Sequence, residues 1–176
     1  NVILKSSNGS SSIMYELEAG VKVKEESTDL RKGTSIEVKD LFYNTPVRYK
    51  FLKKDFTESG YIEDVVTRIA LVHPEIAVKL INTGKTVIQT SGNGEIKPVI
   101  YNIYGKEIAD NLIDIDYTYD DINVKGVIGK PVISRSNRSN QLFFVNNRFV
   151  KDKALSGAAE QAFKGFVTIG KHGFLV

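Results

Sequence analysis

Residues 33–53 read GTSIEVKDLFYNTPVRYKFLK and join a strand pattern to a turn and a basic, apolar run. Ile36 and Val38 alternate with polar neighbours as far as Asp40, the period-two pattern of a half-buried strand. Leu41, Phe42 and Tyr43 then set a bulky apolar cluster beside a turn made by Asn44, Thr45 and Pro46. Pro46 keeps Thr45 extended and has the backbone geometry to start a short helical turn. Arg48, Lys50 and Lys53 follow, with Phe51 and Leu52 between them. On residue physics alone, the run is a strand-to-helix connection.

Upstream, residues 2–5, 13–18 and 21–25 are further strands, and with 34–39 they make four. The breaks between them, Ser-Asn-Gly-Ser, Ala-Gly and Arg-Lys-Gly, accept turn conformations, so a meander is expected. Downstream the period changes. Ile62, Val65, Val66, Ile69 and Ala70 recur at three and four residues, Asp55 and Glu58 have capping-box spacing, and Pro74 ends the helix. Residues 76–81 and 86–90 read as a hairpin turned at Asn82-Thr83-Gly84-Lys85. Ser91-Gly92-Asn93-Gly94 is the strongest domain boundary, dividing residues 1–91 from 92–176. The second part carries a strand at 122–128, then 142–145 turned by Asn146-Asn147 into Phe149-Val150. A second helix follows, with Leu155, Ala158, Ala159, Ala162, Phe163 and Phe166 on one face and Asp152 as its cap. Residues 174–176 should return to the sheet. The fold class is α+β, antiparallel or mixed sheet with helices, in two layered parts.

Composition sets limits on function. The 176 residues are 41% hydrophobic and 26% charged, with a net charge of +3 and no cysteine. A thiol nucleophile and thiolate zinc sites are excluded. No apolar run approaches the roughly 18 residues that cross a bilayer as a helix, so no membrane partner is expected, and a cytoplasmic setting fits. The abrupt apolar start after Asn1 and the finish at Phe174, Leu175 and Val176 read as those of an excised piece. Gly84-Lys85-Thr86 lacks the earlier glycine of a phosphate-binding loop and lies between strands, so it is a hairpin turn. His73 and His172 have no carboxylate at metal-ligand spacing in the sequence, and the acids at Glu107, Asp110, Asp114, Asp116, Asp120 and Asp121 read as a solvated edge. Neither a metal site nor a catalytic group is expected.

Charge is uneven. Residues 125–153 hold Lys125, Lys130, Arg135, Arg138, Arg148, Lys151 and Lys153 against the single acid Asp152. Ser134, Ser136, Asn137, Ser139 and Asn140 surround two of the arginines with small hydrogen-bonding groups, a polar loop suited to a nucleic-acid backbone. A solubilising loop has the same composition, and both readings stand on composition. Phe143, Phe144 and Phe149 suit core packing of a strand-turn-strand unit better than base stacking.

The 33–53 run resembles the MutL family of DNA mismatch repair proteins, whose signature has the form G-T-x-x-x-V-x-D-L-F-x-N-T-P-x-R-x-K-F-L. Gly33, Asp40, Leu41, Phe42, Asn44, Thr45, Pro46, Arg48, Lys50 and Phe51 match it. Arg68-Ile69-Ala70-Leu71 with His73-Pro74-Glu75, Ile103-Tyr104-Gly105, and Phe144-Val145-Asn146-Asn147-Arg148 with Asp152 and Leu155 agree in order, so the resemblance covers almost the whole chain. It implies the C-terminal part of an ATPase domain of the gyrase, chaperone, histidine-kinase and MutL (GHKL) superfamily over 1–91. A ribosomal-protein-like α/β transducer domain over 92–176 follows, truncated before its last strand and loop. By the same resemblance the parent is an ATP- and Mg2+-dependent matchmaker that acts as a homodimer with DNA and a MutS-type mismatch recognition protein, associated with the nucleoid in a bacterium. Its catalytic motifs precede Asn1, so no bound cofactor and no turnover are expected of these residues alone. Thr34 matches a threonine that helps read adenine, and Arg148 an arginine on a DNA-binding surface, with Lys151, Lys153, Arg135 and Arg138 as further DNA contacts. Asn147 stands where the family commonly has glycine, and asparagine tolerates the same left-handed turn. A β-rich nucleic-acid module without ATPase function would leave the 33–53 run unexplained, and the Asn-Thr-Pro-x-Arg run argues against a type II topoisomerase subunit.

Overall fold

In the computed structural model, which describes residues 1–29 and 31–176, the first strands are β1 (Val2–Ser7), β2 (Ser12–Glu18), β3 (Val21–Ser27) and β4 (Gly33–Val38). Their order corrects the expected meander. Strands β1 to β3 are consecutive antiparallel neighbours, but β4 returns to the other edge of β1, giving β3-β2-β1-β4, a Greek key. The unbroken apolar Val2, Ile3 and Leu4 suit a central strand, and β3, with Lys22, Lys24, Glu25 and Glu26, suits an edge. The end of the β1–β4 pair is tied by the Lys39 amide, which donates to the Asn1 carbonyl at 2.9 Å.

The register places Val2, Leu4, Tyr15, Leu17, Ile36 and Val38 on one face of this sheet. Among the described residues of Asn1–Asp55 none is buried, and Ile36 is 66% exposed. On this face Ile36 and Val38 are exposed, while Val2, Leu4, Tyr15 and Leu17 are partly buried. Beyond β4 the chain turns through Asp40 and Phe42, both at positive φ, into the short helix α1 (Pro46–Tyr49), with Pro46 in its first turn.

Compact packing divides the chain into Asn1–Asp55 and Phe56–Val176. The Ser91-Gly94 stretch is held by local hydrogen bonds. The buried Thr90 hydroxyl accepts from the Val78 amide at 2.9 Å, and the Gly94 amide donates to the Pro74 carbonyl at 3.1 Å. Gly92, at φ 69°, lies so near the Ala77 backbone that a Cβ would meet its nitrogen at 2.5 Å.

The second unit contains α2 (Asp55–Val72) apart from its first residue, β5 (Lys79–Asn82), β6 (Lys85–Gln89), α3 (Ile96–Tyr104), α4 (Lys106–Ala109), β7 (Leu112–Tyr119) and β8 (Ile122–Gly129). A 3₁₀ turn (Pro131–Ile133), β9 (Phe143–Val145), β10 (Arg148–Val150) and α5 (Lys153–Phe163) complete it. Its strands pair as three separate antiparallel hairpins. The core is Ala70 and Leu71 of α2, Val99 and Ile100 of α3, Ile108, Val127, Ile133, Leu142 and Phe174. Two helix faces differ from expectation. In α2 the buried residues are Thr67, Ala70 and Leu71, while Ile62, Val65 and Ile69 stay about half exposed. In α5 the buried residue is Phe163, Leu155, Ala158 and Ala162 are exposed, and Phe166 lies beyond the helix end, also exposed.

Residues 174–176 enter between β8 and residues 140–142. The amides of Val127 and Gly129 donate to the carbonyls of Val176 and Phe174, both at 2.8 Å, and on the other side the Leu142 amide donates to the Leu175 carbonyl at 3.0 Å. Gly126, at φ 150°, permits this approach, because a Cβ there would overlap the Val176 carbonyl. Among the described residues no helix is long and apolar enough to cross a membrane.

Candidate nucleic-acid interface

The β9–β10 hairpin is closed by a two-residue loop in which Asn146 and Asn147 both have positive φ, 48° and 62°. That is the type I′ turn, and asparagine is among the few non-glycine residues that accept it. The turn delivers Arg148 to the first position of β10, opposite Val145. Three residues later Lys151 and Lys153 flank Asp152, whose carboxylate caps α5 by accepting from the Leu155 amide at 2.9 Å. Arg148, Lys151 and Lys153 are exposed, and none forms an ion pair among the described residues. Asp152, the one acid of the segment, is engaged at the helix start, and the three cations outnumber it to give a positive edge.

Arg135 and Arg138 differ from these three. Their loop is tied down: the amides of Arg135 and His172 donate to each other's carbonyls at 3.0 and 2.7 Å, and the Asn137 carboxamide oxygen accepts from the Ser139 amide at 3.0 Å. The Arg135 side chain is exposed, whereas Arg138 places Nε 3.5 Å from the Glu160 carboxylate. Glu160 also pairs with His172 Nδ1 at 2.8 Å and accepts from Gln141 Nε2 at 3.1 Å. Burial works to raise the Glu160 carboxyl, but the hydrogen bonds from His172 and Gln141 and the charges of His172 and Arg138 outweigh it, so its pKa lies below the ordinary value. This cluster was not legible in the sequence, because its members come from a loop, a helix and residues near the end of the chain. Both histidines have carboxylate partners in space, His73 Nδ1 lying 2.9 Å from Glu75. Among the described residues, however, no group of three or more His, Asp or Glu side chains could hold a metal.

In Asn1–Asp55, Thr34 lies on β4 opposite Ser6, and their hydroxyls are 3.2 Å apart. It is exposed on the same sheet face as Ile36 and Val38. Of the signature residues, Gly33 opens β4 at φ 143°, Asp40 and Phe42 make the turn, and Pro46 starts α1. Asp40, Leu41, Phe42 and Pro46 line an open cavity of about 300 Å³ with Tyr43 and Tyr49. Asn44, Thr45, Arg48, Lys50 and Phe51 are exposed.

A four-stranded Greek-key sheet and a helix-and-hairpin unit with an unpaired basic edge define an α+β protein of two compact units. Comparison with known proteins makes the assignment sharper. The profile of the family described as DNA mismatch repair protein, C-terminal domain, matches residues 100–176. The MutL proteins of Clostridium beijerinckii, Agathobacter rectalis and Clostridium botulinum are 45%, 44% and 48% identical over 99%, 92% and 84% of this chain. The chain spans 27%, 25% and 22% of their respective lengths. Among solved structures, the ATPase domain of Aquifex aeolicus MutL complexed with ADP is 23% identical, with a TM-score of 0.77, over 99% of this chain and 65% of that one. The N-terminal domain of a DNA repair protein is 21% identical with a TM-score of 0.79, over 99% and 59%. The chain belongs to the MutL family of DNA mismatch repair proteins.

Proposed function

We propose that this chain is the part of a MutL-type mismatch repair protein in which the end of an ATPase domain, residues 1–91, meets a transducer domain, residues 92–176, and that it passes nucleotide state on to DNA. The observation that carries the reading is the edge of Arg148, Lys151 and Lys153, exposed after one tight turn and without acidic partners among the described residues. Such an edge neutralises phosphates regardless of base sequence. Arg135 adds an exposed cation, while Arg138 would first have to leave Glu160. The functional division at residue 92 is supported by the family match over 100–176 and is separate from the division into compact units.

For a nucleotide, the site residue offered is Thr34, by its hydroxyl. One hydroxyl contributes about 0.5–1.5 kcal/mol net. With no metal-holding cluster among the described residues, these side chains do not by themselves fit a magnesium nucleotide. The solved relative that carries ADP supports a nucleotide for the whole protein. That whole protein is proposed to use ATP and Mg2+, to act as a homodimer with a MutS-type mismatch recognition protein, and to work in the cytoplasm, at the nucleoid in a bacterium.

The test is a salt titration of duplex DNA binding. Three neutralised phosphates give a slope of roughly −3 in log affinity against log salt, nearly independent of sequence. Arg148→Glu should weaken binding to every sequence alike and flatten the slope by about one to two units. A folded Arg148→Glu protein that keeps both affinity and slope would remove Arg148 from the interface.

A further inference from the structure

Arg68 of α2 lies with its guanidinium carbon 3.9 Å from the centroid of the Phe149 ring. Phe149 is the neighbour of Arg148 on β10, and it pairs with Phe144 across the hairpin, ring centroids 5.8 Å apart at 63°. Arg68 is held from its own helix, where Nη2 donates to the carboxylate of Asp64 one turn earlier. Its side chain is 23% exposed, and the buried Nε has no hydrogen-bond partner among the described residues. What fixes the guanidinium plane, besides Asp64, is therefore the aromatic face. Tyr104 of α3 borders the same pair: burial first, and then the Asp64 charge, push its phenol up to about 12, while the Arg68 charge opposes them.

The hairpin depends on such an anchor. Strands β9 and β10 have three residues each and pair only with one another as a sheet, and an isolated two-stranded hairpin is marginally stable in water. Its orientation is set by what holds Phe144 and Phe149, both partly buried against the core.

We propose that Arg68 is a positioning residue for the basic edge: it makes no phosphate contact and, through the Phe149 ring, holds the β9–β10 hairpin so that Arg148 stays in line with Lys151 and Lys153. The inference rests on reading that edge as the DNA surface. Without the stack the hairpin samples orientations that turn Arg148 away, and apparent affinity falls in proportion to the aligned fraction. The aligned state keeps all its phosphate contacts, so affinity changes while the salt slope does not.

The experiment compares Arg68→Met, Arg68→Lys, Phe149→Leu and Arg148→Glu in the whole chain, by fluorescence anisotropy of a labelled duplex across a salt series. A second measurement follows amide exchange in β9 and β10. Arg68→Met and Phe149→Leu should each weaken binding, by at most about fivefold, the full scale of one partly covered cation–π contact, with the slope held near −3. Arg68→Lys should recover only part of the loss, because an ammonium has no planar face. Amide exchange in the hairpin should quicken in Arg68→Met and Phe149→Leu and stay unchanged in Arg148→Glu. If Arg68→Met flattens the slope by about one unit and Arg68→Lys restores it, Arg68 is a phosphate contact and the positioning role is overturned. Unchanged affinity or unchanged exchange in both Arg68→Met and Phe149→Leu overturns it as well. An Arg148→Glu protein that binds like the parent refutes the DNA surface instead, and the exchange data then judge Arg68 alone. Should Arg68→Met fail to fold, Arg68→Lys and Phe149→Leu carry the comparison.

Discussion

Truncating Phe174 to alanine should cost the second unit about 4 kcal/mol. The side chain is 1% exposed and its ring meets Tyr104 edge-on, with centroids 5.3 Å apart at 86°. A buried aromatic of this kind covers about 150 Å² or more, which at roughly 25 cal/mol per Å² gives just under 4 kcal/mol. The cavity left by the ring adds to this and local collapse subtracts, so the total falls in the usual range of about 3–5 kcal/mol for Phe→Ala in a core. A unit of roughly 120 residues has a stability on the order of 6–18 kcal/mol, so the variant remains folded in water but weakened. Urea unfolding followed by far-UV circular dichroism should show the second unit's midpoint lowered by about 2 M at an unchanged m of about 2 kcal/mol/M. Phe174→Leu, which keeps most of the volume, should lose less than half as much. A shift below about 0.5 M for Phe174→Ala would refute the placement of this ring at the centre of the core.

Two further outcomes follow from burial and charge. Native-state amide exchange should find β1 to β4 less protected than β8 and α3, because Asn1–Asp55 has no buried residue among those described while Val127, Val99 and Ile100 are fully covered; slower exchange across residues 13–39 than across 142–166 would contradict this. Because Glu160 titrates below its ordinary value of 4.5 when folded, its contribution to stability is complete above that pH and is lost as pH falls through the lower folded value. Glu160→Gln should remove that part of the acid loss in urea midpoints taken between pH about 3 and 6, and parallel curves for parent and variant would show the pairing with His172 and Arg138 to be energetically silent.

Strand positions in the first unit were legible because Ile13, Tyr15, Leu17, Ile36 and Val38 alternate with polar residues, and alternation marks strands whatever their partners. Partners are another matter, since period two is silent on which edge β4 chooses. The unbroken Val2-Ile3-Leu4 was the available hint of a central β1. In α2, apolar residues occupy two adjacent stripes, so spacing picked a helix without settling which stripe is covered. Helix α3 carried a readable signal that went unused: Ile96, Val99, Ile100 and Ile103 fall at helical spacing, and the middle two are fully buried. Within the candidate interface, the turn at Asn146-Asn147 and the cap at Asp152 were legible from local chemistry. The Glu160 cluster and the Arg68–Phe149 stack were not, because each joins residues far apart in the chain, and single-sequence periodicity carries no information about such pairs.

The seat of residues 174–176 has a consequence for the order of events during synthesis. These residues fill a slot whose walls, β8 and residues 140–142, are translated much earlier, and Phe174 supplies the largest fully buried side chain of the core. Hairpins and helices of the second unit can form as they emerge from the ribosome, since their contacts are local. Their common core cannot close until Phe174 has left the exit tunnel, and until then Val127, Leu142 and the buried face of α3 stay open to chaperones and to association with other nascent chains. Slow translation before residue 174 would lengthen that exposure, whereas prompt emergence of Phe174 would let the unit lock.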